Sequence, residues 1–410
     1  MSMNITPSSE RTHIGIFGRR NAGKSSIINA LTNQKLAIVS DIKGTTTDPV
    51  TKVMELLPLG PVVMIDTPGL DDEGELGLLR VQKAFQILNK TDIALLVIDS
   101  TLGISNEDID ILTRIRQKQI PFLIILNKAD KSDCHEAIIE NLSLEFQTHK
   151  NLIIPASAKT GMNIYELKEK IASIAPKEDA NHQIAGDLIS PGDFVVLVVP
   201  IDKAAPKGRL ILPQQQTIRD ILDTGAVSIV TRETELKKTL AGLGTKPSLV
   251  ITDSQVFEQA AKIIPVEIPL TSFSILFARY KGSLKTVVNG AEVIDALENG
   301  DTVLISEGCT HHRQCEDIGT IKLPNWLRKY TGKELNFEFT SGTEFPLNLT
   351  KYKLIIHCGG CTLNEREMKY RLKCAEDAGI PITNYGTAIA YMKGILKRSI
   401  SVFNIHTELS

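Results

Sequence analysis

The stretch Gly18-Arg19-Arg20-Asn21-Ala22-Gly23-Lys24-Ser25 follows directly on the apolar run His13-Ile14-Gly15-Ile16-Phe17, and Ser26 to Leu31 continues it as a helix-forming segment. Strand, glycine-bounded loop and helix, in that order, are the context in which G-x-x-x-x-G-K-[ST] binds phosphate. Backbone N–H groups of the loop and helix start, from Gly18 and Asn21 to Ala22, Gly23 and Ser26, converge where the helix dipole adds partial positive charge. Lys24 is placed to bridge the β and γ oxygens of a nucleotide, and the Ser25 hydroxyl to ligate Mg²⁺. The stretch therefore predicts an α/β domain with a mostly parallel sheet.

Working outward, four more elements appear in the order a GTP-hydrolysing domain requires. Gly44-Thr45-Thr46-Thr47-Asp48 lies in a polar segment after the first helix, where Thr46 can close over γ-phosphate and Mg²⁺. The run Val62-Val63-Met64-Ile65 ends in Asp66-Thr67-Pro68-Gly69; Asp66 reaches Mg²⁺ through water, and the Gly69 N–H senses γ-phosphate. Lys24, Thr46 and Gly69, which face the transferring group, are the catalytic candidates. Phe122 to Leu126 runs into Asn127-Lys128-Ala129-Asp130, and Leu152 to Pro155 into Ser157-Ala158-Lys159. The Asp130 carboxylate accepts from N1–H and the 2-amino group of guanine, while the Ala158 N–H meets O6. Adenine lacks those donors and would leave a carboxylate unpaired, so the expected nucleotides are GTP and GDP. Leu76 to Leu88 reads as a switch helix.

The whole chain bounds the alternatives. Its 410 residues exceed one ordinary core, and 42% hydrophobic with 23% charged residues is a globular composition. Balanced charge, 46 basic against 48 acidic residues, offers no broad attraction to nucleic acid or anionic lipid. Neither a leader peptide nor a membrane-spanning run is visible, so a cytoplasmic protein with no membrane and no nucleic-acid partner is expected. The charged stretch Pro176 to Gln183 reads as a linker. Beyond it, Phe194–Val199, Val227–Val230 and Leu249–Thr252 are strand-like runs alternating with helical segments, which predicts a second, small parallel sheet. This middle segment carries no glycine fingerprint or cluster of titratable groups, and Asp193, Asp202 and Lys203 read as solvated loop charges. Dimerisation is its expected role. Three α/β domains follow, at residues 1–176, 190–268 and 269–410.

Five of the six cysteines lie in the last quarter of the chain. Cys309-Thr310-His311 is separated by forty-five residues from His357-Cys358-Gly359-Gly360-Cys361, and each cluster follows a β-like run, Thr302–Ile305 and Lys353–Ile356. Were these strands parallel neighbours, both clusters would emerge at carboxyl ends, where such sheets keep their ligand crevices. The helix-like segment Asn364 to Ala378 would favour thiolate at its N-terminal end. Three thiolates make an iron–sulfur cubane one ligand short of four, leaving one iron to His311, His357, a carboxylate, water or a guest. A structural zinc is the other chemistry of this donor set. Cys134, Cys315 and Cys374 read as small hydrophobes or chance thiols, with Cys315 a reserve ligand; Trp326 reads as a core anchor and Tyr385-Gly386 as a turn.

The first domain resembles the TrmE/Era branch of GTPases. Leu70 stands where Ras-type enzymes carry a catalytic glutamine, and Thr47 where the branch has arginine. The resemblance implies that Asn21 coordinates a potassium ion supplying the missing positive charge, and intrinsic hydrolysis is expected to be slow. A GTPase of this branch followed by Cys-x-His and His-Cys-x-x-Cys resembles the HydF family of [FeFe]-hydrogenase maturation GTPases over essentially the whole chain. That resemblance implies GTPase, dimerisation and cluster-binding domains, and a [4Fe-4S] cluster on Cys309, Cys358 and Cys361 with a variable fourth ligand, for which His311 and His357 are candidates. It also implies a homodimeric scaffold that holds the transient diiron precursor, made with two radical S-adenosylmethionine maturases, and passes it to apo-[FeFe]-hydrogenase. Two other classes stand against it: a ribosome- or RNA-associated GTPase with structural zinc, and a redox enzyme whose cluster shuttles electrons.

Overall fold

The run from His13 to Phe17 forms the interior of strand β1 (Thr12–Phe17) and is almost wholly buried, as a strand covered on both faces must be. In this computed structural model the described residues are 7–32, 50–70, 84–131, 135–176, 183–201, 210–308, 318–342, 345–346 and 348–403. The chain divides into two compact units, Met1–Lys177 and Glu178–Ser410.

In the first unit, β1 lies inside a six-stranded sheet with β2 (Val50–Leu56), β3 (Gly60–Asp66), β4 (Ile93–Asp99), β5 (Phe122–Asn127) and β6 (Ile153–Pro155), ordered β2-β3-β1-β4-β5-β6. All neighbours run parallel except the edge pair β2–β3. Ile27, Ile28 and Leu31, at helical spacing on the helix Lys24–Thr32, pack under Val62, Met64 and Leu95, while Phe17, Leu96 and Ile124 fill the opposite face. The helix Asn106–Gln117 starts at a capping box in which Ser105 and Asp108 satisfy each other's backbone N–H groups. Thus the described loops expected to touch nucleotide, after β1, β3, β5 and β6, leave the same, carboxyl edge of the sheet.

The second unit holds two four-stranded parallel sheets. One is ordered β10-β9-β7-β8, from β7 (Phe194–Val198), β8 (Val227–Thr231), β9 (Leu249–Thr252) and β10 (Leu270–Ser272). The other is ordered β12-β11-β13-β14, from β11 (Thr302–Ser306), β12 (Asn336–Thr340), β13 (Leu354–His357) and β14 (Ile382–Asn384). The first of these sheets thus takes its fourth strand from beyond residue 268. Val196, Val250 and Leu270 of one sheet and Leu304, Ile355 and Ile382 of the other belong to a single buried core. Strand β8 is an edge, with Val227 41% and Val230 47% exposed.

Several local expectations are refined. Tyr385-Gly386 is not a turn but the start of the helix Tyr385–Met392, because the Asn384 side chain accepts from the Thr387 N–H at 2.8 Å and caps it. Trp326 sits in the helix Leu323–Thr331, which carries Pro324 in its first turn. Trp326 packs, half-buried, against the Val303–Ile305 core. Cys374 is half-buried against the shared core, in keeping with a small apolar role, whereas Cys134, Cys315, Asp202 and Lys203 lie outside the described residues.

Close backbone approach governs one contact between helix and sheet. The helix Leu284–Glu292 crosses β14 at Gly290, where a Cβ would run into the Ile382 carbonyl oxygen, and Thr383 donates to the Val287 carbonyl at 2.7 Å beside it. Gly290→Ala should therefore destabilise the second unit by about 1–3 kcal/mol, as overpacking does in a tight core. Urea unfolding followed by tryptophan fluorescence checks this, since Trp326 is the only tryptophan and lies in that unit.

Candidate functional site

In the first unit the phosphate loop is braced by the very residues expected to meet nucleotide. Lys24 Nζ donates to the Gly18 and Arg19 carbonyls at 2.8 and 2.9 Å, which spans the loop and holds the ammonium over its mouth. Gly23 has φ +95°, and a Cβ there would strike the Asn127 amide, so the position needs glycine twice over. Asn127 Nδ2 donates to the Ala22 carbonyl at 2.8 Å, and its Oδ1 accepts from the Ala158 N–H at 3.3 Å. One side chain at the end of β5 thereby ties the phosphate loop to the loop after β6. Lys128 Nζ donates to the Asn21 carbonyl at 2.9 Å and pairs with Asp99.

Asp66, at the end of β3, accepts from the Ser25 hydroxyl at 2.6 Å. Its other oxygen, Oδ1, is buried without a hydrogen-bond partner. Burial raises the Asp66 carboxyl above its usual range, although Ser25, Lys24 and Lys52 oppose the shift. A hydroxyl and a desolvated carboxylate with one free oxygen suit a hydrated divalent cation, which would restore the ionised form. GTP or GDP with Mg²⁺ fits this site. Asp130 is exposed, and a hydrogen bond from Ser157 lowers its pKa, so it stands ionised to accept from a base. Ser26 lies in the first turn of the helix Lys24–Thr32, and Gly69 and Lys159 follow Asp66 and Ser157 in their loops, while Leu70 is buried in the core and cannot orient water. Thr46 and the switch helix through residue 83 lie outside the described residues.

Asp99 was not expected. It anchors Lys128, and although burial alone would raise its carboxyl, hydrogen bonds from Lys128 and Thr101 hold it below the usual range. Its position at the carboxyl end of a buried strand was the available signal. Arg19 similarly ties the loop to the helix Asn106–Gln117 through Asp108 at 3.4 Å and donates to the Gly103 carbonyl.

In the second unit, β11 and β13 are parallel neighbours with Ser306 opposite His357, so the strands that lead into the two cysteine clusters end side by side. Cys309 and His311 lie outside the described residues, but Gly308 donates its N–H to Cys358 Sγ at 3.0 Å and accepts at its carbonyl from the Thr362 hydroxyl at 2.8 Å. The Gly360 N–H adds a second donor to the same sulfur at 3.4 Å. Burial pushes the Cys361 thiol up, opposed by Lys281 and by backbone N–H groups of Cys361 and Thr362. The two N–H groups converging on Cys358 Sγ form a nest that suits anionic sulfur.

His357 is placed differently from a free ligand. Its Nδ1 shares a hydrogen bond with the Cys358 carbonyl at 2.7 Å, and its Nε2 faces Arg371 Nη1 at 2.9 Å. The carbonyl can only accept and the guanidinium only donate, so the ring carries its proton on Nδ1. Burial and Arg371 depress its pKa to about 3, leaving it neutral. Arg371 is itself fully buried, and it also donates to Glu367 at 3.0 Å, Ser306 at 3.2 Å and the Gly342 carbonyl at 2.7 Å. No sequence pattern marked Arg371 or Lys281, since buried cations are found only by what surrounds them. Among the described residues no three His, Cys, Asp or Glu side chains form a closed metal group.

Comparison with known proteins places the two units. The 50S ribosome-binding GTPase family matches residues 13–128, the hydrogen maturase F dimerization domain residues 184–282 and the hydrogen maturase F tetramerization domain residues 285–402. Among curated proteins, the tRNA modification GTPase MnmE of Desulforamulus reducens is 38% identical over 161 residues, 38% of this chain and 33% of that one. GTPase Der of Kosmotoga olearia is 32% identical over 174 residues, 40% of this chain and 39% of that one. The chain thus spans little more than a third of these relatives' lengths, through its GTPase domain. Among solved structures, Era of Aquifex aeolicus bound to GDP and AlF4⁻ matches at 23% identity, covering 54% of this chain and 92% of that one with a TM-score of 0.37. With a GTPase domain followed by both of the domains that define hydrogen maturase F, the chain belongs to the HydF family.

Proposed function

We propose that this chain is a GTP-hydrolysing scaffold of [FeFe]-hydrogenase maturation, which holds a [4Fe-4S] cluster and carries the diiron precursor of the hydrogenase active site to apo-hydrogenase. The observation that carries the reading is the juxtaposition of β11 and β13, which brings the residue before Cys309 against the Cys358 sulfur. Cys309, Cys358 and Cys361 would hold the cluster. With three thiolates bound, a cubane offers one iron whose last position exchanges and can accept a guest. Both nitrogens of His357 are engaged within the protein, so the fourth position falls to His311 or to an exchangeable group. The diiron species is cargo, received from two radical S-adenosylmethionine maturases.

Since β10 and the dimerization match carry the middle segment past residue 268, the proposed division of labour is residues 1–176 for GTP, 184–282 for dimerisation and 283–410 for the cluster. GTP hydrolysis would involve Lys24, Thr46 and the Gly69 N–H on γ-phosphate, Ser25 and Asp66 at Mg²⁺, and Asn21 at potassium. Asp130, Asn127, Ser157, Ala158 and Lys159 would hold the guanine. Hydrolysis can direct transfer only if the GTP and GDP forms bind partners with different affinity. The matched dimerization and tetramerization domains support an oligomer, and the exposed valines on edge strand β8 suit pairing with a second copy. None of the described helices is long and apolar enough to cross a membrane; the proposed site of action is the cytoplasm.

Three outcomes are expected. Protein reconstituted without oxygen should bind about four irons per chain and give an EPR signal on reduction, and Cys358→Ala should lose most of that iron while keeping its GTPase rate; one tightly held zinc instead would sink the reading. Replacing sodium by potassium should raise GTP turnover at least roughly tenfold, the scale of one well-placed electrostatic stabiliser, and Asn21→Ala should abolish the difference. Val230→Lys should weaken self-association on the order of tenfold in sedimentation equilibrium, since like charges would face across a paired edge.

A further inference from the structure

Lys281 ends the helix Phe273–Lys281, in the segment matched to the dimerization domain, yet its side chain reaches the cysteine loop of the following segment. It is 3% exposed. Its Nζ lies 3.3 Å from the Gly360 carbonyl oxygen, 3.2 Å from that of Cys361 and 2.8 Å from that of Leu363. An ammonium has three N–H donors and no acceptor, so three carbonyls around it match the charged form.

The direction of the peptide units gives this contact its meaning. The peptides joining Gly360 to Cys361 and Cys361 to Thr362 turn their C=O ends to Lys281, on either side of the Cys361 side chain. Two consecutive peptide dipoles of the cysteine loop thereby point their negative ends at one buried cation. The ammonium both fixes the loop and transmits positive potential to the sulfur. A buried charge in a medium of low effective dielectric acts far more strongly than one on the surface.

We infer that Lys281 is a positioning residue for the cluster, holding the Gly360–Leu363 loop through its carbonyls and supplying a fixed positive charge that favours the reduced over the oxidised cluster. This rests on the cluster reading proposed above. It also makes the dimerization segment a contributor to the cluster site, through one side chain that crosses from it.

The test uses full-length protein reconstituted anaerobically with iron and sulfide, and compares wild type with Lys281→Met, Lys281→Gln and Lys281→Arg. Iron content and a reductive titration followed by EPR are the readouts, with GTPase rate as a control for the first unit. Loss of the cation in the Met and Gln variants should weaken the preference for the reduced cluster about tenfold, a potential about 59 mV lower for a one-electron couple, while Arg retains the wild-type value. Should Met prove insoluble, the contrast of Gln with Arg reads the same charge. Unchanged potentials and iron in the neutral variants would overturn the inference and leave the cluster reading standing. Equal losses in Arg and the neutral variants, or insolubility of all three, would also overturn it, since only shape would then matter. Wild-type protein that takes up no iron would instead overturn the cluster reading itself.

Discussion

Parallel pairing of β11 with β13 is the constraint on which the proposed cluster site rests. Ser306 opposite His357 means that the residues just past each strand leave the sheet at one level and only one strand spacing apart. The Gly308 N–H then meets the Cys358 sulfur, and the Cys358 N–H donates to the Ser306 carbonyl at 2.9 Å, prolonging the ladder by one rung into the loop. Arg371 locks this arrangement from beneath, because one guanidinium binds Ser306 from β11, His357 from β13 and Glu367 from its own helix. Removing one partner from such a buried ionic group leaves an uncompensated charge, typically costing about 3–5 kcal/mol. His357 is therefore best understood as part of the frame that holds the Cys358 carbonyl.

The nucleotide site follows a related logic with different parts. Asn127 and Lys128, at the end of β5, hold the phosphate loop through the Ala22 and Asn21 carbonyls, so base-side and phosphate-side elements form one hydrogen-bonded frame. A frame built in advance spends little ordering entropy when ligand arrives. What it leaves open is the unpartnered Asp66 Oδ1, beside the Ser25 hydroxyl, where a hydrated cation would complete the set.

The two sheets of the second unit are more closely joined than their separate family matches imply. They share a core running from Val196 to Ile400, and Arg398 donates to the carbonyls of Ile264, Pro265 and Ile268 at the end of a helix in the other segment. Asn384 likewise donates to the Ser274 carbonyl at 2.9 Å. Two sheets so connected can influence each other through packed side chains and hydrogen bonds.

The nucleotide-binding fold was legible in the chain alone, because its chemistry is local: phosphate needs N–H groups, a lysine and a hydroxyl within eight consecutive residues, and Gly18 to Ser25 supply them in order. The cysteine clusters were legible as donors, and their strand contexts predicted where they would emerge. What tertiary structure alone decided was the surroundings of those donors. His357 carries the same imidazole whether it ligates metal or accepts from Arg371, and fourteen residues of separation conceal that contact. Lys281 lies about eighty residues before the carbonyls it binds, and Asp99 nearly thirty before its lysine. Burial, and the hydrogen bonds that burial makes obligatory, are properties of packing between distant segments, and no spacing along the chain encodes them.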